Sequence, residues 1–326
     1  MLNADLKEIN FTSDHDGLEI SAVAAVPAEN INGVVQIVHG MSEYKERYFD
    51  FMDYLAGEGF ITAIHDNRGH GKSICTPDDI GFTFKNGGEG IIADIAQFNG
   101  IIRNMYPDVP CFMAAHSMGA LAARCFLKKH DGEINGLVLM GTPSYNKFSG
   151  IIRCMNSVVV SGEKSRFRSN KVYEAAEKKL GKNFENVPHS WICSNKETVE
   201  KFNADPLCNF RYTLNGYECL LHLLKKAYSK YGWEVKNPDL PIRFISGKDD
   251  PVMISEKKFF RSIKTLEKVG YGSISHRLFD GMRHEILNEK NNTAVYRDIA
   301  KSLFSWIDRI NSAEFSTEDQ NSTDLF

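Results

Sequence analysis

A serine hydroxyl becomes a nucleophile only where the backbone projects it and a base stands within reach. One segment of this chain meets the first condition: Ala115-His116-Ser117-Met118-Gly119, directly after an apolar run and directly before a helix-like pattern. A tight strand-to-helix turn lifts its central Ser off the sheet edge, beside the N-terminus of the following helix. The turn crowds the positions two before and two after the Ser, so both must be small. Gly119 meets that demand, while Ala115 stands where Gly is usual and adds one methyl and some strain. The ordinary alternative is a Ser that only caps the helix.

The partners of such a Ser follow it in chain order, acid before His. After the apolar run at 242–245 only His276 and His284 remain. His276 falls inside the last strand-like run. His284 follows it, in Asp280-Gly281-Met282-Arg283-His284-Glu285, and loops at the carboxyl ends of strands carry such sites. His284 is therefore the predicted base. The acid is expected in Ser246-Gly247-Lys248-Asp249-Asp250-Pro251, where alternation leaves Asp249 and Asp250 both open; Pro251 confines Asp250 to extended angles, and either Asp could simply form the turn. An oxyanion also needs donors. The Met118 N–H supplies one, and His39-Gly40-Met41-Ser42, after the run at 34–38, supplies Met41, with Gly40 letting the backbone turn.

These residues need a scaffold, and the apolar runs describe one. Short β-rich runs at 34–38, 61–64, 111–115, 137–140 and 242–245, with a weaker one at 274–279, each stop at Gly, Asp or His or just short of one. Near-continuous apolar runs of this length suit strands buried on both faces. Helical patterns fill the gaps, at 48–58, 91–105, 118–129 and 294–310, so the fold class is α/β with helices on both faces of a mostly parallel sheet. The alternation breaks between about 144 and 237, where helix-like segments such as 171–180 and 217–228 follow one another. This predicts a core of 1–143 and 237–311, a helical cap at 144–236 and a disordered acidic tail at 312–326.

Composition narrows the rest. With 326 residues, 42% hydrophobic and 11% aromatic, the chain can bury a large core. A net charge of −3 supplies no cationic field for nucleic acid. No run approaches a membrane span, the first eight residues are too polar for a secretory signal, and the seven cysteines are odd in number without a Cys-x-x-Cys pair. A cytoplasmic protein with reduced thiols and no metal is expected. From Tyr145 to Lys182 nine Lys/Arg face three Glu, and with Ile151-Ile152 and Val158-Val159-Val160 this stretch could touch an anionic membrane; solvated helix faces explain the same charges.

Together these motifs resemble the α/β-hydrolase superfamily, in its branch of monoacylglycerol lipases, lysophospholipases and serine aminopeptidase type hydrolases. His39-Gly40-Met41-Ser42-Glu43 with Arg47-Tyr48 resembles the branch's HG-x-x-E…RY segment. Asp66-Asn67-Arg68-Gly69-His70-Gly71-Lys72-Ser73 matches its D-x-R-G-H-G-x-S turn, His116-Ser117-Met118-Gly119 its HSMG elbow, and Gly247, Asp250 and His284-Glu285 complete the set. Asp205-Pro206-Leu207 resembles a D-P-L segment of the same caps. The resemblance implies an eight-stranded sheet with a helical cap, favours Asp250 as the acid, and supports Met41 and Met118 as donors. It also implies that Glu43 and Arg47 lie near the substrate's head group; read locally, they are an exposed i,i+4 ion pair.

The expected protein is a serine esterase needing no cofactor, with Ser117, Asp250 and His284 as its triad and a fatty acyl ester or other lipid as its small-molecule partner. An iminopeptidase-type aminopeptidase would need a cap carboxylate for the substrate amine, and the cap holds nine between Glu163 and Glu234. A catalytically silent binding protein would lack a triad or oxyanion position, and none is missing.

Overall fold

Alternate residues of a strand face opposite sides of its sheet, so a strand apolar at every position needs cover on both. Val34 and Val38 pack into one core cluster and Val35 and Ile37 into the other. The computed structural model describes residues 3–145 and 165–323. Its central sheet has eight strands, β1 Ala4–Glu8, β2 Ala22–Pro27, β3 Gly33–Val38, β4 Phe60–His65, β5 Cys111–His116, β6 Gly136–Met140, β7 Ile242–Gly247 and β8 Ile274–Phe279. They lie in the order β1-β2-β4-β3-β5-β6-β7-β8. β2 runs antiparallel to both its neighbours, and every other pair is parallel.

Helices α1 (Phe49–Gly57) and α8 (Asn292–Thr323) cover one face, through Phe51, Leu55, Ile299 and Leu303. Helices α2 (Gly87–Met105), α3 (Met118–His130) and α7 (Glu256–Glu267) cover the other, through Phe98, Leu121 and Phe259. Full burial of side chains of this size makes each truncation to Ala cost about 2–5 kcal/mol. The six strands expected from apolar runs are all present. β1 and β2 carry no such run: β1 is a polar edge strand, largely exposed, and three of the six residues of β2 are Ala.

Between β6 and β7 come α4 (Asn170–Leu180), α5 (Lys196–Ala204) and α6 (Leu214–Ala227). The expected cap at 144–236 takes in α6, which is shared with the core. Its Cys219, Leu223 and Ala227 join the cluster around α2 and α3, while Tyr217 and Leu221 face Val172 of α4. Two apolar faces on one helix are what a bridge between layers requires. The tail, expected to be disordered from Ser312, continues α8 as far as Thr323. No Gly or Pro between 292 and 323 interrupts the helix.

Lys147, Arg153, Lys164 and the apolar runs at 151–152 and 158–160 lie outside the described residues. Within them, Arg166 pairs with Asp79 at 2.6 Å, and Arg168 donates to the carbonyls of Asp78, Ile80 and Arg211. That part of the cationic stretch joins the cap to the core. Among the described residues no helix is long and apolar enough to cross a membrane, and the six cysteines there are free thiols, five of them buried.

Candidate active site

Ser117 stands between β5 and α3 with φ 51° and ψ −116°, a conformation that L residues rarely adopt. Such a backbone costs about 1–3 kcal/mol and persists only where its surroundings enforce it. Here the Ser117 N–H donates to the Met140 carbonyl at 2.9 Å, and the Ser117 carbonyl accepts from Leu121 in the first turn of α3. A Cβ on Gly119 would stand 2.4 Å from the Val38 carbonyl oxygen and 2.5 Å from that of His39, so this position admits only Gly. Ala115 is fully buried in the core cluster, in register with Val38 and Leu139. Its methyl is accommodated by strand packing.

Three of the predicted residues form one hydrogen-bonded line. Ser117 Oγ and His284 Nε2 are 2.8 Å apart, and His284 Nδ1 lies 3.0 Å from Asp250 Oδ2. Asp250 is buried at the end of β7 and also accepts from Ser246 Oγ at 3.0 Å and Val252 N–H at 2.8 Å. A carboxylate held by three donors cannot rotate away from the imidazole. Asp249 is exposed, and its N–H bonds the Met282 carbonyl. Acceptance of a proton from Ser117 by Nε2 requires that Nδ1 carry one, which the Asp250 carboxylate favours.

Met118 heads α3, so no intrahelical carbonyl reaches its N–H. Met41 lines the cavity in front of Ser117, and Ser42 after it holds φ 58°, fixing the turn of that loop; the Ser42 N–H donates to Tyr212 Oη at 3.2 Å. Gly40 is required by close approach: a Cβ there would meet Glu43 Oε2 at 2.6 Å and Ser117 Cβ at 3.0 Å.

Glu43 and Arg47 are not the exposed i,i+4 pair that their spacing alone suggests. Glu43 is 2% exposed, and its carboxylate accepts from the Gly40 N–H at 2.6 Å, Tyr48 Oη at 2.9 Å and His116 Nδ1 at 2.9 Å. Arg47 lies 3.4 Å from Glu43 and forks onto Glu285 at 2.9 and 2.7 Å. Their hydrogen-bonding groups are paired within the protein, and Glu43 also borders the cavity in front of Ser117. Burial alone would push the Glu43 carboxyl up, but His116 and Arg47 beside it hold the group well below the usual carboxylate range. For His116 burial opposes the charge, but Glu43, with Glu285 and the His284 carbonyl, raises the imidazole above its ordinary value.

The D-x-R-G-H-G-x-S turn is scaffold. Asp66 accepts from Lys45 Nζ at 2.6 Å and from the backbone of Lys45 and Lys72, and Arg68 is fully buried against Asp94 and Asp16. From the cap, Asp205 accepts from Tyr44 Oη at 2.6 Å.

A cavity of about 220 Å³ opens over Ser117. Leu121, Leu180, Phe202, Phe210, Leu220 and Leu224 give it an apolar wall, and Glu177 is the cap carboxylate that lines it among the described residues. Sequence reasoning missed two neighbours of His284, the ring of Trp191 at 5.5 Å and that of His116 at 4.7 Å. Trp191 lies in a segment without periodicity, so nothing local marks it. His116 carried a signal, a titratable side chain closing an apolar strand next to the Ser.

The chain matches the family model described as serine aminopeptidase, S33, over residues 29–291. It is 23% identical over 313 residues to the monoacylglycerol lipase of Mycolicibacterium smegmatis, covering 90% of this chain and 96% of that protein. It is 25% identical over 292 residues to the monoglyceride lipase of Mus musculus, covering 83% and 85% respectively. Its fold matches the crystal structure of a highly thermostable carboxyl esterase from Bacillus coagulans in complex with glycerol, with TM-score 0.84, 25% identity, and 93% and 99% of the two chains covered.

Proposed function

As the chain belongs to the serine aminopeptidase (S33) family, we propose that it is a serine hydrolase cleaving carboxylic esters through an acyl-enzyme, its substrate carrying one fatty acyl chain as in a monoacylglycerol or lysophospholipid. The observation that carries this reading is the hydrogen-bonded line from Ser117 through His284 to Asp250 at the floor of an apolar-walled cavity.

In this reading Ser117 Oγ attacks the acyl carbonyl while His284 Nε2 takes its proton. Asp250 holds the Nδ1–H tautomer and supports the imidazolium that forms. The N–H groups of Met41 and Met118 stabilise the oxyanion, an effect worth about 10²–10³ in rate per donor. His284 then returns its proton to the leaving alcohol, and water releases the acid by the same steps in reverse. The acyl chain lies along the apolar wall, where each buried methylene contributes about 0.8 kcal/mol.

One observation favours an aminopeptidase, the presence of Glu177 in the cavity. Its two oxygens also accept from Trp191 Nε1 and the His189 N–H, each at 3.1 Å, so it braces the cap as well as lining the cavity.

Brief exposure to a fluorophosphonate followed by peptide mass measurement tests the chemistry. A single adduct on Ser117, lost in His284→Ala, is expected; folded protein without an adduct would sink the reading. Parallel assays with fatty acyl esters and prolyl amides test the substrate class, and faster cleavage of the amides would overturn it.

A further inference from the structure

His116 precedes Ser117 and is 3% exposed, and both of its ring nitrogens face acceptors. Nδ1 lies 2.9 Å from Glu43 Oε2 and Nε2 lies 3.2 Å from the backbone carbonyl oxygen of His284. A carbonyl oxygen cannot donate, so Nε2 must carry a proton to bond it. Glu43 Oε2 already accepts from Gly40 and Tyr48, so Nδ1 must carry one as well. A ring with protons on both nitrogens is an imidazolium. His39, on the neighbouring strand end, makes the contrast: Nδ1 donates to the Gly40 carbonyl at 2.8 Å while Nε2 accepts the Asn67 N–H at 2.8 Å, so that ring is neutral.

We propose that His116 is a permanent imidazolium and a positioning residue, which ties the Gly40 loop, the Ser117 turn and the His284 loop together and biases His284 toward its neutral, proton-accepting form. The proposal rests on the serine hydrolase reading above.

The tie is physical. Glu43 Oε2 accepts from both the Gly40 N–H and His116 Nδ1, and His116 holds the backbone of His284 itself. Arg47 closes the circuit by forking onto Glu285, the residue after His284. Three segments far apart in sequence thus share one dry cluster: the cavity between Glu43, Arg47, Tyr48, His116 and Glu285 is about 10 Å³, room for one water at most. Low local dielectric makes the charges act strongly on each other.

The bias follows from the charge balance. The groups facing His116 are Glu43, Arg47 and Tyr48 from the loop and helix after β3, and His284 and Glu285 from the loop after β8. Glu43 and Glu285 carry two negative charges, His116 and Arg47 two positive, and the cluster is neutral. The His116 ring lies 4.7 Å from that of His284, so its charge opposes a second cation there in the resting enzyme. Asp250, on the opposite side of His284, supplies the compensation when the ring charges during turnover.

Removing the charge alone leaves the cluster at −1 and favours protonation of His284. His116→Gln should therefore shift the acid limb of kcat/KM upward by roughly one pH unit, the scale of one nearby charge. Glu43→Gln combined with His116→Gln restores neutrality and should return the limb toward its wild-type position. A fall in rate with the acid limb unmoved in His116→Gln would reduce His116 to packing and overturn the proposal.

Ring ¹⁵N shifts of the wild-type protein provide a readout that needs no folded variant to interpret the charge. Both His116 nitrogens should remain protonated from pH 5 to 8, and a neutral tautomer at pH 7 would overturn the proposal. Fluorophosphonate labelling of wild-type Ser117 keeps the two readings apart, since its failure removes the hydrolase assignment while the ring shifts still report the charge.

Discussion

The Trp191 ring lies 5.5 Å from the ring of His284, tilted by 42°, and its indole N–H donates to Glu177 at 3.1 Å. The segment carrying it is stapled to the His284 loop. The Glu285 N–H donates to the Ile192 carbonyl at 2.6 Å, Arg283 donates to the carbonyls of Ser190 and Cys193, and Glu289 accepts from the Ser194 and Arg283 N–H groups. The cap therefore helps to hold the imidazole in place. Trp191→Ala should lower kcat/KM about tenfold by loosening that geometry, with Ser117 still labelled, though more slowly. Unchanged labelling and turnover would show that the indole does not constrain His284.

The two adjacent carboxylates after β7 should separate sharply. Asp250→Asn removes the acceptor that fixes the Nδ1–H tautomer and should lower kcat by about 10⁴. Asp249→Asn alters an exposed side chain and should stay within about twofold of wild type. Steady-state kinetics on one ester substrate checks both, and comparable losses in the two variants would contradict the geometry.

The two small residues flanking Ser117 should respond oppositely to exchange. Gly119→Ala drives a Cβ into two backbone carbonyls and should destabilise the protein by about 1–3 kcal/mol while displacing Ser117. Ala115→Gly removes one buried methyl from a strand and should cost about 1 kcal/mol with the labelling rate of Ser117 unchanged. Denaturant unfolding gives the first quantity and a labelling time course the second. A large acceleration in Ala115→Gly would mean that the methyl strains the turn.

Folding stability should fall as the pH drops below about 6.5. Burial pushes the imidazoles of His65 and His70 down to about 3. An unfolded chain takes up these protons near pH 6.5 and the folded chain does not, so the loss grows between pH 6.5 and 3. Each such His contributes a slope of about 1.4 kcal/mol per pH unit in that window. His116, with a raised value, works oppositely: its contribution is full below pH 6.5 and is lost as pH rises through the folded value. His65 stands between Phe11 and Phe98, so His65→Phe should flatten the acid slope by one proton in urea unfolding at pH 5 and 7. An unchanged slope would mean that His65 is protonated in the fold.

Local pattern sufficed for much of this protein. β3 to β7 were legible because strands buried on both faces are largely apolar, β8 only weakly because it is a mostly exposed edge strand, and the Ser117 turn because strand, small residues and helix are contiguous. Chain order left His276 and His284, and the strand-like run around His276 separated the two. β1 and β2 were hidden because one is a polar edge strand and the other is rich in Ala.

Tertiary structure decided what depends on contacts between distant segments. Asp249 and Asp250 differ by one position, and only the turn at Pro251–Met253, which recruits Asp250 as its cap, aims that carboxylate inward toward His284. Glu43 and Arg47 have the spacing of a surface ion pair, but parallel pairing of β3 with β5 sets Glu43 against His116, 73 residues away, and the loop after β8 brings Glu285 to Arg47. Periodicity along a chain records which residues are buried. Which buried charges meet is settled by the order of strands in the sheet, and no local spacing encodes that order.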